Sequence, residues 1–310
     1  MSQLTENIKK YIAAFREKIG QSFNSQLPGI KERLLWAERR FPYLFTRRAI
    51  SVALVILILL LAFISSNFVK PGNPLYFVKT YVSEKVGNLF AFTKYQQAER
   101  TRKLANERLS EAVKLLSQDD LSKNRSPLLV KLFSENAAKA DQIITSVKAS
   151  QNIVEAETMA SRFEADLLGF EAVFLNLRQT RDGAPADLDA LGISLDEKLT
   201  AIKKVRGELD ESILSQNNSG FAGQIDETIA ETQSIIAEAK KNAFSSQLAL
   251  KKDEQAIFDN HLASAESLLS QSEDKKNKKL FGESLALASQ AYREARTAQI
   301  FGAVLSGNSF

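Results

Sequence analysis

Hydrophobic positions fall into three regimes along this chain. Near the N-terminus, Leu4, Ile8, Ile12, Phe15 and Ile19 step by 4, 4, 3 and 4, one face of a helix, with Lys9, Lys10, Arg16 and Lys18 off the stripe. Pro28-Gly29 breaks that pattern, and a second short stretch carries Ile30, Leu34, Leu35 and Trp36 before Pro42. The second regime starts at Ala49. Sixteen residues to Ile64 are apolar apart from Ser51, and the run continued to Val69 is 21 residues with no charge between Arg48 and Lys70. A helix of that length spans roughly 31 Å, the thickness of a bilayer core. The pattern predicts a single transmembrane helix over 49–69. A buried core helix rarely runs so long without a polar face. A cleaved signal peptide begins nearer the N-terminus and ends in a small-residue cleavage site, which is not evident here. Arg47 and Arg48 read as the basic flank of the membrane helix rather than as a twin-arginine export signal.

The third regime, beyond residue 71, alternates helical periodicity with short polar breaks. A first helix is expected from Asn73 to about Phe92. Thr93 with Gln96 three residues later is a capping-box pattern and starts the next, to about Ser117. The stretch QDDLSKNRS is a polar loop, and Ser126-Pro127 restarts a helix. Ala156, Ala160, Phe163, Leu167, Phe170, Phe174 and Leu177 step 4, 3, 4, 3, 4, 3, a sustained 3.5-residue period that predicts coiled-coil-like packing. Arg181 to Gly192 is the most loop-like stretch and the expected internal boundary. Helices are then expected from Ser194 to about Gln216, Gln224 to Ala243, Asp253 to Gln271 and Lys276 to Val304. The last two form a helical hairpin. Ile257, Phe258, Leu262, Ala265, Leu268 and Leu269 make one apolar face, SEDKKNKK turns, and Phe281, Leu285, Ala288, Tyr292 and Ala295 make the other. Ala288, Ala291, Ala295 and Ala298 form a small-residue seam. The hairpin is similar to tetratricopeptide hairpins only by analogy. No 34-residue period recurs, which favours an irregular bundle over a solenoid. The fold class is all-α: a transmembrane helix, then an extracytoplasmic multi-helix bundle or hairpin array in two halves, 71–182 and 193–310.

The junction between the second and third regimes is PGNPLYFVK. Pro71 and Gly72 stop one helix, Asn73 caps the next, and Pro74 fits its first position, where a missing N–H costs nothing. Tyr76 and Phe77 stand where an aromatic belt belongs. This opening resembles a bacterial family of domains of unknown function, in which Pro-Gly-Asp-Pro-Leu-Tyr-x-x-Lys directly follows a membrane helix. The matching positions are Pro71, Gly72, Pro74, Leu75, Tyr76 and Lys79, followed by the helical stretch Ala98 to Leu116. Asn73 replaces the usual Asp, and both residues cap helices. The resemblance covers about residues 71–118. It implies a membrane-anchored, extracytoplasmic helical domain and no catalytic residues.

Charge orients the chain. Residues 29–48 carry six Lys/Arg, including Arg39, Arg40, Arg47 and Arg48, against three over residues 70–89. The positive-inside rule therefore predicts a cytoplasmic N-terminus and residues 71–310 outside, in a cell-membrane protein held by an uncleaved signal anchor. The net charge of +4 divides into +6 on residues 1–48 and −2 on everything beyond. The basic tail reads as an amphipathic segment on an anionic lipid surface, with a cytoplasmic protein partner as the alternative. No recognition motif accompanies the charge, so nucleic acid is not an expected partner.

Candidate chemistry is sparse. With no Cys and one His, the chain has no disulfide framework, no Cys-ligated metal site, no thiol nucleophile and no histidine pair. His261 is expected at the edge of the apolar stripe. Glu155, Glu157, Glu164, Asp166 and Glu171, with Asp210 and Glu211, read mostly as solvated faces. No phosphate loop, GxSxG, HExxH or EF-hand spacing occurs. No cofactor, metal or catalytic residue is assigned, and an enzyme is not expected. The leading reading is a cell-envelope scaffold or protein-binding module acting through 71–310. The first alternative is a transmembrane regulator whose tail 1–48 holds a signalling partner, and the second an envelope hydrolase. The membrane segment has no GxxxG motif, and the oligomeric state stays open.

Overall fold

The computed structural model describes Tyr76, Thr80 and residues 91–117, 126–180, 186–245 and 250–306. The basic tail, the expected membrane helix 49–69, Arg39, Arg40, Arg47 and Arg48 lie outside the described residues. So do Pro71, Gly72, Asn73, Pro74, Leu75 and Lys79. Residues 69–310 form one compact unit. Its described part is all-helical, with seven α-helices and no strand: α1 (Lys94–Ser117), α2 (Ser126–Ala149), α3 (Ile153–Thr180), α4 (Ala186–Gln216), α5 (Ala222–Ser245), α6 (Lys252–Asn277) and α7 (Phe281–Leu305). Among the described residues no helix is long and apolar enough to cross a membrane.

Local chemistry places the helix ends. At α1 the Thr93 hydroxyl accepts from the Gln96 backbone N–H at 3.1 Å, and the Gln96 side chain accepts from the Thr93 N–H at 3.3 Å. Both halves of the expected capping box are therefore made. The α6–α7 turn is tighter than SEDKKNKK suggests, because α6 runs through the polar stretch to Asn277. Lys279 then takes φ 60°, with the Leu280 N–H bonded to the Lys275 carbonyl and the Lys279 N–H to the Lys276 carbonyl. That is a Schellman turn with lysine at the left-handed position usually held by glycine. The helix continues because Ser272 is not turn-like here. It is fully buried, and Ser272 and Ser284 each donate to the other's backbone carbonyl at 2.8 Å. The expected loop at Arg181–Gly192 is also shorter, since α4 starts at Ala186 and Gly192 lies inside it. A Cβ at Gly192 would meet the Arg178 guanidinium at 2.6 Å, so this glycine leaves room for a side chain rather than making a turn.

Two helices run through the middle. α3 packs against α1, α2, α4 and α7, and α7 packs against α3, α4, α5 and α6. The expected seam of α3 is buried from Ala156 to Phe174, with Leu177 partly covered. The alanine seam of α7 is completely buried at Ala288, Ala291, Ala295 and Ala298. Small residues let these helices approach. A Cβ at Gly169 on α3 would lie 2.7 Å from the Ile300 Cβ on α7. One apolar cluster draws on helices from both halves of the chain, a bundle rather than a solenoid. Ile257, expected on the apolar face of α6, is 36% exposed.

Candidate functional site

Central helices buried on several sides are expected to be apolar all round. α3 and α7 are not. Asp166 on α3 is fully buried. Its Oδ1 accepts from Arg296 Nε of α7 at 2.8 Å, and its Oδ2 accepts from Arg102 Nη1 and Asn106 Nδ2 of α1. Burial alone would push the Asp166 carboxyl up, but the Arg102 and Arg296 guanidiniums outweigh it and hold the group below the usual carboxylate range. The network spreads outward. Arg102 Nη2 donates to Glu99 at 2.7 Å. Arg162 pairs with Glu231 of α5 and donates to the Tyr95 hydroxyl, and its guanidinium lies 5.6 and 5.9 Å from the ring centres of Tyr95 and Tyr292. Gln299 of α7 accepts from Arg296 and donates to Glu238 of α5 at 2.9 Å.

A second buried group lies along the same helices. Arg206 of α4 bridges Glu164 and Asp210. Arg293 of α7 donates to the Ser161 hydroxyl at 2.8 Å, which in turn donates to Glu157 at 2.6 Å. Glu157 is 1% exposed, and burial pushes its carboxyl pKa up. Expectation and structure part here. Glu157, Glu164 and Asp166 are not a solvated face. Their arginine partners come from other helices, so no spacing within α3 announces them.

Of the stretch PGNPLYFVK, Tyr76 is the described residue, and it is bonded into the bundle. Tyr76, in helical backbone, is 2% exposed. Its hydroxyl donates to Glu111 at 2.5 Å and accepts from Arg108, whose guanidinium also sits 5.5 Å from the ring centre. Arg108 is fully buried, and it too was not legible as a site residue. Burial pushes the Tyr76 phenol well above its usual value, so it stays a neutral donor.

Residues 69–166 match the family described as Domain of unknown function (DUF5667). No curated protein and no solved structure matches the chain. The matched stretch is about a third of the chain, and it contains Tyr76, Arg108, Arg102, Glu157, Glu164 and Asp166. Arg206 and Arg296, which pair with Glu164 and Asp166, and Arg293, which reaches Glu157 through Ser161, come from beyond it.

The remaining feature is open to solvent and lies outside the matched stretch. α5 and α6 each pack along α7 but touch one another little. Between them lie two adjoining recesses of about 450 and 510 Å³. Lys240 and Glu266 line both, and they pair across the groove at 2.5 Å. Buried Ile236, Phe258, Leu262 and Leu269 form the floor, and Asp259, Glu266 and Glu273 are exposed along the α6 edge. His261 sits where the apolar stripe predicts, half-buried, with Nδ1 2.6 Å from Glu294. Among the described residues no group of three His, Asp or Glu is placed to hold a metal ion.

Proposed function

We propose that this chain is a single-pass envelope protein whose helical domain, outside the cytoplasm, binds another protein through the α5–α6 groove. The groove itself carries the reading. Asp166, Glu164 and Arg108 in the interior are paired with opposite charges, whereas this recess sets apolar floor and charged edge side by side on the surface, as helix-binding grooves do. The apolar run 49–69 and the basic flank at Arg39, Arg40, Arg47 and Arg48 support a membrane anchor with residues 1–48 in the cytoplasm. On this reading only six residues, 70–75, separate the anchor from Tyr76, which is hydrogen-bonded to Glu111 of α1.

The test is photo-crosslinking in living cells from Ala237 and Ala263, which line the groove, and from Lys131 on α2 as an exposed control. The expected result is a discrete protein adduct from the groove positions and none from Lys131. Equal, diffuse labelling at all three would sink the proposal. Protease added to intact cells is expected to cleave within 71–310; protection until lysis would invert the topology. A transmembrane regulator is the second reading, supported by the same Tyr76 hydrogen bond, which would transmit a change in the bundle to the membrane segment. Scrambling residues 1–48 at constant charge separates the two, being silent for a binding module and damaging for a regulator.

A further inference from the structure

We infer that the occupant of the α5–α6 groove is a basic amphipathic helix of a partner protein, an inference that rests on the binding reading above. Asp259, Glu266 and Glu273 are spaced by seven residues, two helical turns, so they form a rail with steps of roughly 10.5 Å along one edge of α6. The rail belongs to a longer stretch, Asp253 to Asp274, that holds six acids and no Lys or Arg. A ligand with Lys or Arg every two turns matches this repeat, and an α-helix is the element that supplies it. Length agrees, because Asp259 to Glu273 spans about 21 Å of helix, four turns, along a groove floored by Ile236, Phe258, Leu262 and Leu269. An anionic lipid or nucleic-acid surface meets like charge here.

Lys240 sharpens the assignment. Among the described residues lining either recess it is the one cation, and it pairs with the middle acid of the rail, Glu266, at 2.5 Å. It therefore stands where a partner's cation would stand. Both side chains are about half exposed, so the pair is weak and readily exchanged. The partner helix displaces Lys240 from Glu266 and replaces one ion pair by another.

The experiment uses the full chain in phosphatidylcholine nanodiscs, with empty nanodiscs as the blank. The probes are two fluorescent 18-residue helical peptides with the same leucine stripe, one carrying Lys and the other Glu at seven-residue spacing. The Lys peptide is expected to bind and the Glu peptide to fail. E266K/E273K is expected to weaken the Lys peptide by ~10-fold or more and to admit the Glu peptide, because attraction becomes repulsion at two of the three acidic positions. K240Q is expected to tighten the Lys peptide by ~3-fold, because the internal competitor is gone. The opposite signs of these two changes separate groove chemistry from misfolding, and a thermal melt of each variant checks the fold. Equal binding of both peptides, or indifference to E266K/E273K, overturns the inference. Sedimentation showing a dimer joined through Ala237 and Ala263 also overturns it, by making a second copy the occupant. If the peptides fail while the groove crosslinks persist in cells, the basic-helix assignment falls and the binding reading stands. If both fail, the binding reading falls as well.

Discussion

Asp166 and Glu266 are both carboxylates one helix away from α7, and both face a cation, yet they sit in different physical regimes. Asp166 is fully buried among Arg102, Arg296 and Asn106, drawn from two other helices. Glu266 is half exposed and meets Lys240 across open solvent. In the interior each charge must be matched, because removing one partner strands the other in a medium that solvates it poorly. At the groove edge water screens the pair, and either partner is lost cheaply. The buried layer therefore fixes how α1, α3 and α7 sit, while the acid rail of α6 stays available for exchange. Substitutions that remove buried charges test stability; those on the rail test binding.

The largest effect is expected from D166A, which leaves Arg102 and Arg296 facing each other's charge. Chemical denaturation should show a loss of about 3–5 kcal/mol. A loss under about 1 kcal/mol would mean that solvent reaches the layer and that the contrast with Glu266 is false. In the native protein the low pKa of Asp166 gives stability that is present above about pH 3.9 and is lost as pH falls through the lowered folded value.

Glu157 gives the opposite sign. Burial raises its folded pKa, so the folded state keeps a proton that the unfolded chain releases above about pH 4.3. Stability should fall as pH rises from there through the folded value, with a slope of at most about 1.4 kcal/mol per pH unit. E157Q mimics the neutral acid and should flatten that slope in a series of melts from pH 4 to 8. An unchanged slope would show that the proton is not held at Glu157.

Y76F is expected to cost about 1–3 kcal/mol, because Glu111 and buried Arg108 lose a shared partner. Hydrogen exchange should locate the loss in α1. K279G should gain about 0.5–1 kcal/mol, since glycine takes a φ of 60° without the strain that lysine bears there. Smallest of all is E273Q, expected to change the melting free energy by less than about 0.5 kcal/mol because its side chain is exposed. A larger loss would place the rail with the structural charges and remove the distinction on which the groove reading rests.

Much of the fold was legible because it depends on near neighbours. Thr93 and Gln96 are three residues apart and cap each other without help from elsewhere. The α3 seam and the α7 alanines repeat within one helix, so periodicity alone placed them in the core. Less was legible at the α6–α7 turn. SEDKKNKK looks like a solvated turn until Ser272 finds Ser284 on the opposite helix, a contact 12 residues away. The candidate sites were legible only in part. Tyr76 stood out through the stretch PGNPLYFVK, but its partners, Arg108 and Glu111, lie more than 30 residues on. The seven-residue spacing of Asp259, Glu266 and Glu273 is written in the sequence, but that they edge a groove depends on α5 standing apart from α6.

By itself the amino-acid sequence determined the all-helical character of the described residues, the heptad seam of α3 and the small-residue face of α7. These follow from backbone capping and from which side chains share one face of a helix, interactions of short range along the chain. Only the tertiary structure decided the fate of the charges. Asp166, Glu164 and Glu157 are written in the same alphabet as Asp259, Glu266 and Glu273. What separates the two sets is whether packing buries them, beside arginines from distant segments for Asp166 and Glu164 and with a retained proton for Glu157. That depends on how helices pack, and the cost of burying a charge makes the outcome all or none.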